Sequence, residues 1–139
     1  MALITVSGFP SSGKSRRALQ IKAHLESRIQ DPNYLGPKLK VFIISDDELK
    51  IDRSVYGGTP HVACARRILG TNYSPDGRLE KPARAALFTA MQRRMGQDTI
   101  LVADAMNYIK GFRYQMYCAA REMKVRVCTV SRSSTARRQ

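Results

Sequence analysis

A lysine near the start of the chain stands in the glycine-rich setting that binds phosphate groups in many proteins. Residues 8–15, GFPSSGKS, fit the pattern G-x-x-x-x-G-K-[ST] at every fixed position. Glycines let successive main-chain N–H groups point inward at phosphate oxygens, and a following helix adds its unpaired N-terminal donors. Lys14 can then span the β- and γ-phosphates, and the Ser15 hydroxyl can bind Mg²⁺. The motif predicts a site for nucleotide phosphates.

Two aspartates follow apolar stretches and could complete such a site. Asp104 ends the run TILVAD, as in a Walker B element, where a carboxylate holds Mg²⁺ directly or through water. Asp46 follows VFIIS and could orient or deprotonate an attacking hydroxyl or water. Either aspartate could instead be a helix cap or a turn residue. We predict that Lys14, Asp46 and Asp104 are catalytic and that Ser15, Asp46 and Asp104 are metal ligands.

These residues need a scaffold, and the hydrophobic pattern predicts one. Four short apolar stretches, in LITVS, KLKVFIISDDE, TILVADA and VRVCTV, predict buried strands. Helical spacing of apolar residues separates them after Lys14, over EKPARAALFTAMQRRMG with Pro82 in its first turn, and from Phe112 to Met123. Alternation of strands and helices predicts an α/β fold with a mostly parallel sheet, covered by helices on both faces. Gly8, Asp46 and Asp104 should then meet at one edge.

Composition limits the class of protein and its partners. The chain has 139 residues, the length of one domain, and 24 basic against 11 acidic side chains give a net charge of +13, which favours polyanionic partners. No apolar stretch approaches the roughly 20 residues of a bilayer span, and the first residues do not resemble a signal peptide. Three cysteines without a C-x-x-C pair suggest neither a disulfide framework nor a zinc site. We expect no membrane association and a reducing compartment.

The phosphate loop together with DAMNYIKGFRYQMYCAARE, residues 104–122, resembles the Elongator-associated regulator family named for killer toxin insensitivity. More distantly, it is similar to the O-phosphoseryl-tRNA kinases. The resemblance covers residues 1 to about 130, although the middle matches poorly. It implies a P-loop NTPase fold of the kinase-like type, a three-layer sandwich, with ATP and Mg²⁺ as cofactors. It also implies that ATP hydrolysis is coupled to tRNA and supports modification of wobble uridines by the Elongator complex. tRNA and Elongator are therefore expected partners, and a cytoplasmic and nuclear location is expected.

The resemblance assigns roles to particular residues. It implies nucleotide contacts from the loop and the start of the helix, at Gly8, Ser11, Ser12, Gly13, Lys14, Ser15 and Arg16. It implies that a second set faces the nucleotide or the RNA, at Asn107, Tyr108, Arg113 and Tyr114. Without the family, the two tyrosines are better explained as packing residues than as ligands. A guanidinium at Arg113 near a γ-phosphate could neutralise transition-state charge, and a solvated helix arginine explains the same residue nearly as well.

The chain departs from the family pattern in two places. Residues 59–79 cannot be aligned with a helix or lid of the pattern; turn signals there surround a possible short helix, HVACARRIL. The family joins the P-loop domain to a C-terminal tRNA-binding domain, and here the sheet is expected to be truncated after the fourth strand. We expect a nucleotide-binding domain over residues 1–130, a disordered basic tail over 131–139, and catalysis weakened by a missing lid. Three functions stay open: an ATPase-type regulator, a phosphotransferase acting on a hydroxyl, and a non-catalytic nucleotide or RNA binding module.

Overall fold

Strands and helices alternate along the chain in a computed structural model that describes residues 1–8, 12–52, 55 and 77–132. The strands are β1 (Ala2–Gly8), β2 (Lys40–Ser45), β3 (Thr99–Asp104) and β4 (Arg126–Arg132). The helices are α1 (Lys14–Gln30), which follows β1, α2 (Gly77–Arg94), which precedes β3, and α3 (Lys110–Glu122), which joins β3 to β4. Among these helices, none has the length and apolarity that a membrane crossing needs.

The four strands form one parallel sheet in the order β2-β3-β1-β4. In this sheet Asp104 lies in register with Val6 on one side and with Ser45 on the other. Because all neighbours run the same way, the carboxyl ends of β1, β2 and β3 lie at the same edge of the sheet. The predicted α/β fold and the predicted meeting of the three strand ends are therefore confirmed.

Alternate residues of the strands build two cores, one on each face of the sheet. On one face Val6 and Val102 pack with Ala18 of α1. On the other face the inward side chains pack against α2 and α3 in a larger cluster that includes Leu3, Leu101, Ala103, Leu87, Met91, Phe112 and Met116. Side chains of a strand point to opposite faces with a period of two, so a strand covered on both faces must be apolar throughout. The result is three layers, as the sequence predicted.

Helix α2 begins earlier than its sequence pattern indicated. The helix starts at Gly77, so Pro82 is its sixth residue and stands beyond the first turn where it was predicted. The proline removes one main-chain hydrogen-bond donor from the helix. Ala83, Leu87 and Met91, which share one face of α2, are nevertheless buried against the sheet. Burial of this apolar stripe outweighs the local loss, because tertiary packing supplies most of the stability of helices in proteins.

The last strand is longer than predicted. Ser131 and Arg132 continue β4 and pair with Ser7 and Gly8 of β1. The prediction that residues 131–139 are a disordered tail is therefore wrong for the first two of them, because pairing along a neighbouring strand satisfies their main-chain groups. Residues 133–139 lie outside the described part of the chain, as do residues 53–54 and 56–76, which include the possible short helix HVACARRIL.

Candidate functional site

The turn between β1 and α1 depends on glycine at Gly13. This residue is the N-cap of α1 and has a left-handed backbone, with φ 78° and ψ 30°. An added Cβ would meet nothing within 4 Å, so the conformation and not crowding requires glycine here. Gly8, the last residue of β1, also has a positive φ, of 152°. Residues 9–11 of the loop between these two glycines, which include the candidate contact Ser11, are outside the described part of the chain.

The start of α1 offers donors that the helix itself does not use. Gly13 gives no side-chain cap, and the first turn carries no acidic residue. Ser12 Oγ is buried and has no hydrogen-bond partner within the part of the chain that the structure describes. Main-chain N–H groups at a helix start, a buried hydroxyl and the positive end of the helix dipole together fit an anion. Lys14 is half-buried, and Ser15 and Arg16 are exposed on the same first turn, so the predicted contacts are brought together.

The two predicted aspartates lie at the edge of the sheet from which this loop leaves. Asp104 is the last residue of β3 and is buried, at 7% exposure. Asp46 directly follows β2 and is half-buried, and its carbonyl oxygen accepts a hydrogen bond from Ile51 N at 2.9 Å, which closes the turn. Mg²⁺ bound with a nucleotide takes most of its ligands from phosphates and water, so Ser15 with one or two carboxylates fits it. Among the described residues, no group of three or more His, Cys, Asp or Glu side chains is placed to hold a metal ion.

Asn107 is the centre of a hydrogen-bond network behind the site. Its Nδ2 donates to Val6 O at 3.0 Å and to Ala103 O at 3.1 Å, which ties β1 to β3 next to the loop. The main-chain carbonyl oxygen of Asn107 accepts a hydrogen bond from Ser7 Oγ at 3.1 Å. The residue is 1% exposed, and among the described residues its Oδ1 has no hydrogen-bond partner. This side-chain oxygen is the atom of Asn107 with which a ligand or a water molecule would form a hydrogen bond.

Arg113 stabilises the turn between β3 and α3. Its Nη1 donates to the carbonyl oxygen of Asn107 at 2.6 Å and to that of Tyr108 at 2.9 Å. A guanidinium has five N–H donors in a planar fork, so these two bonds occupy one of its terminal nitrogens. A contact from Arg113 to a phosphate would use its other nitrogens, with the turn still held.

Tyr108 leads to a residue that the sequence reasoning missed. Its hydroxyl donates to Glu80 Oε1 at 2.6 Å, and Glu80 also receives Arg84 Nη1 at 3.3 Å. Glu80 is 4% exposed, whereas Tyr108 is 46% exposed. Partial burial, and then the hydrogen bond and negative charge of Glu80, raise the pKa of Tyr108 to about 12. The available signal was that Glu80 is the sole acidic residue of α2, four positions before an arginine.

Tyr114 lies apart from the residues of this network, on the exposed side of α3. It is 67% exposed, and its ring stacks on that of Tyr117, with centroids 6.2 Å apart. A hydrogen bond with the Cys118 thiol raises the pKa of Tyr114. The structure thus gathers Asn107, Tyr108 and Arg113 at the turn after β3 and places Tyr114 on the outer surface.

A parallel sheet in the order β2-β3-β1-β4, with a phosphate-loop sequence between β1 and α1, defines a P-loop protein of the kinase-like type. The family model described as chromatin associated protein KTI12 matches residues 1–138. The chain therefore belongs to the KTI12 family, as its resemblance implied.

Two relatives and two solved structures show the extent of the similarity. Protein kti12 of Schizosaccharomyces pombe is 37% identical over 130 residues, which are 94% of this chain and 40% of that protein. The KTI12 homolog of Rattus norvegicus is 35% identical over 132 residues, 94% of this chain and 30% of that protein. The chain thus spans well under half of these relatives.

The crystal structure of Chaetomium thermophilum Kti12 in complex with ADP-AlF3 is 37% identical, with a TM-score of 0.73 over 96% of this chain and 61% of that one. The APS kinase CysC of Mycobacterium tuberculosis, at 12% identity, has a TM-score of 0.60 over 99% of this chain and 79% of that one. The second similarity shows the fold alone.

Proposed function

We propose that the chain binds ATP with Mg²⁺ at the carboxyl edge of its sheet and hydrolyses it, as part of a regulator of Elongator-dependent modification of tRNA wobble uridines. The observation that carries the nucleotide site is the left-handed Gly13 directly before Lys14 at an uncapped helix start. A related Kti12, 37% identical, was crystallised with ADP-AlF3. ADP with aluminium fluoride resembles a nucleotide during phosphoryl transfer, which is the species that a catalytic site binds best.

Different described residues would bind the phosphates, hold Mg²⁺ and accept a proton in such a site. The N–H groups at the start of α1, the Ser12 hydroxyl and Lys14 would bind phosphate oxygens, with Arg16 at the exposed side. Ser15 and Asp104 would hold Mg²⁺, which supplies neutralisation of charge on the phosphates when it is bound. Asp46 would share in that metal site or accept the proton of the attacking group.

The support for the RNA-linked part of the proposal is different in kind. It consists of family membership, the stretch from Asp104 to Glu122, and a net charge of +13, which attracts polyanions through counterion release. We propose a cytoplasmic and nuclear location on the same family relationship, whose description includes association with chromatin. tRNA and Elongator are proposed as partners of the longer family architecture, of which this chain spans part.

A phosphotransferase is the second candidate, and the position of Asp46 favours it. The carboxylate follows β2 at the same edge as the phosphate loop, where it could orient an acceptor hydroxyl in place of water. The two functions differ only in the acceptor of the phosphoryl group. A binding module without catalysis would keep the phosphate contacts and form no product.

The nucleotide site is tested by calorimetry with Mg-ATP on the wild type and on Lys14→Ala. Loss of the charge that spans the phosphates should abolish detectable binding. Lys22→Ala is the matched control, because Lys22 lies on the same helix, paired with Glu26 at 3.7 Å, and should bind as the wild type does. Undiminished affinity in Lys14→Ala would refute the proposed site.

The reaction is tested by separating the products of γ-labelled ATP with and without tRNA. Free phosphate, released faster with tRNA, supports the ATPase-type regulator. Transfer of label to RNA or to a small hydroxyl compound supports the phosphotransferase. Binding of ATP without any product would leave the non-catalytic module and overturn the catalytic part of the proposal.

A further inference from the structure

Helix α3 carries a line of four exposed side chains along its solvent side. Lys110, Tyr114, Tyr117 and Arg121 follow one another at intervals of four, three and four residues, which places them on one face of a helix. We call this line the Tyr114–Tyr117 stripe. Two aromatic rings stand at its centre, and a basic side chain stands at each end.

The stripe is not needed to pack the helix. The opposite side of α3 is buried against the sheet through Phe112, Met116, Ala119 and Ala120. Tyr114 is 67% exposed and Tyr117 is 42% exposed, and neither belongs to the buried core clusters. An exposed pair of large aromatic side chains, side by side, is typical of a surface that binds a partner.

The two rings are held in a defined arrangement. Their centroids lie 6.2 Å apart and their planes are inclined by 27°. Rings that are already ordered lose little conformational entropy when a flat partner stacks on them.

We propose that the Tyr114–Tyr117 stripe binds single-stranded nucleic acid, whose unpaired bases stack on the tyrosine rings while its phosphates contact Lys110 and Arg121. Stacking on aromatic side chains combined with basic groups along the backbone is how proteins bind single strands without sequence preference.

Charge on the protein favours this partner over a protein surface. The stripe contains no carboxylate, the acidic residue of α3 is Glu122 at its last position, and the whole chain has a net charge of +13. The basic ends are about 16 Å apart along the helix, room for a short run of nucleotides. In a duplex the bases are already stacked on each other, so the rings can bind only the unpaired form.

The inference goes beyond the proposed function, because it needs neither ATP nor the residues at the edge of the sheet. If the calorimetric test refuted the nucleotide site, the inference about the Tyr114–Tyr117 stripe would be unaffected. Its own failure would leave the nucleotide site standing, since none of the four residues of the stripe is assigned to phosphate or metal binding. Tyr114, which the resemblance placed towards the nucleotide or the RNA, is 67% exposed on the solvent side of α3.

The test is fluorescence anisotropy of labelled oligouridine RNA, the same sequence as DNA, and an RNA duplex, all without nucleotide and at low salt. The double change Tyr114→Ala with Tyr117→Ala should weaken binding of the single strands about tenfold or more, because each stacked base is lost. Tyr114→Phe with Tyr117→Phe keeps the rings and should bind nearly as the wild type does. Leu19→Ala is the control for loss of an exposed apolar side chain, since Leu19 on α1 is 62% exposed.

A second readout separates stacking from charge. The chain has no Trp, so its intrinsic emission comes from tyrosine, and stacked bases should quench it in the wild type and not in the double alanine variant. Lys110→Ala and Arg121→Ala should instead each reduce the slope of log K against log salt by about 0.7. Equal affinity for RNA and DNA single strands supports the proposal, because stacking does not use the ribose 2′-hydroxyl.

Three results would overturn the proposal. The first is equal binding by the wild type and a double alanine variant whose circular dichroism shows an intact fold. The second is equal affinity for single strand and duplex, which would leave only general attraction between charges. The third is self-association of the chain that the double alanine change abolishes, which would assign the stripe to a second copy.

Discussion

The hydroxyl of Tyr108 donates a hydrogen bond of 2.6 Å to Oε1 of Glu80, and this bond links the turn after β3 to the first turns of α2. Glu80 is buried and also contacts Arg84, so the carboxylate keeps two partners while water is excluded. Arg113 holds the same turn from its other side through the carbonyl of Tyr108. Contacts from α2 and α3 therefore hold the turn beside the candidate nucleotide site. A movement of α2 would displace Tyr108 through its bond to Glu80.

We predict that Tyr108 titrates well above the ordinary value for a tyrosine. Burial and the Glu80 carboxylate favour the neutral phenol, and its pKa is raised from an ordinary value of 10.0 to about 12. Phenolate absorbance, measured against pH as the difference between the wild type and Tyr108→Phe, should show one group with this high pKa. In Glu80→Gln, which keeps a hydrogen-bond acceptor and loses the charge, the pKa should fall and stay above 10, because burial is the largest cause.

The same shift has a consequence for stability. The neutral phenol is favoured in the folded state, so its contribution is complete below the unfolded pKa of about 10 and is lost as the pH rises towards 12. The free energy of unfolding should therefore fall more steeply over this interval in the wild type than in Tyr108→Phe. Parallel curves for the two proteins would contradict the raised pKa of Tyr108 in the folded state.

Two glycines with equal space around them should respond to alanine in opposite directions. At Gly13 the φ of 78° is unfavourable for alanine, and Gly13→Ala should lower the free energy of unfolding by about 1 kcal/mol. At Gly111 in α3 no Cβ contact lies within 4 Å and φ is not positive, so Gly111→Ala should raise it by up to about 1 kcal/mol. Urea denaturation of the two variants and the wild type measures both changes. A neutral Gly13→Ala would argue against a left-handed turn before α1.

The buried amide of Asn107 should matter far more than an exposed amide that makes a similar bond. Asn107→Ala removes two donors and leaves the buried carbonyls of Val6 and Ala103 without them, which should cost about 2 to 4 kcal/mol. Gln97→Ala is the control, because Gln97 Nε2 donates to Met123 O at 3.1 Å in an exposed position, where water replaces it. Its cost should be below about 0.5 kcal/mol. Similar losses in both variants, again by urea denaturation, would contradict the network around Asn107.

The strands were predictable because the sheet is parallel and covered on both faces. A run such as ILVA in β3 must then be apolar throughout, and few other structures require that pattern. The phosphate loop was equally readable, since its glycines and lysine follow a fixed spacing. The start of α2 was not, because Gly77 lies before Pro82 and a proline normally marks a helix start.

The contacts behind the candidate site could not be read from the sequence, because they join distant residues. Glu80 meets Tyr108 across 28 positions, and Asn107 meets Val6 across 101. The sequence shows an arginine at position 113 and does not show whether its guanidinium contacts a phosphate or, as here, two carbonyl oxygens of the preceding turn. Such pairings follow from how α2 and α3 lie on the sheet, which side-chain periodicity does not specify.

Asp46 provides the last prediction, which separates binding from turnover. Asp46→Asn removes a carboxylate at the end of β2 and keeps its size, so Mg-ATP should bind with little change in calorimetry, while release of phosphate from ATP should fall by about a hundredfold or more if Asp46 is the proton acceptor. Asp47→Asn is the matched control, because it removes the same charge from the neighbouring exposed residue and should leave turnover near that of the wild type. Equal loss in both variants would reduce the effect to general electrostatics, and unchanged turnover in Asp46→Asn would remove Asp46 from the mechanism.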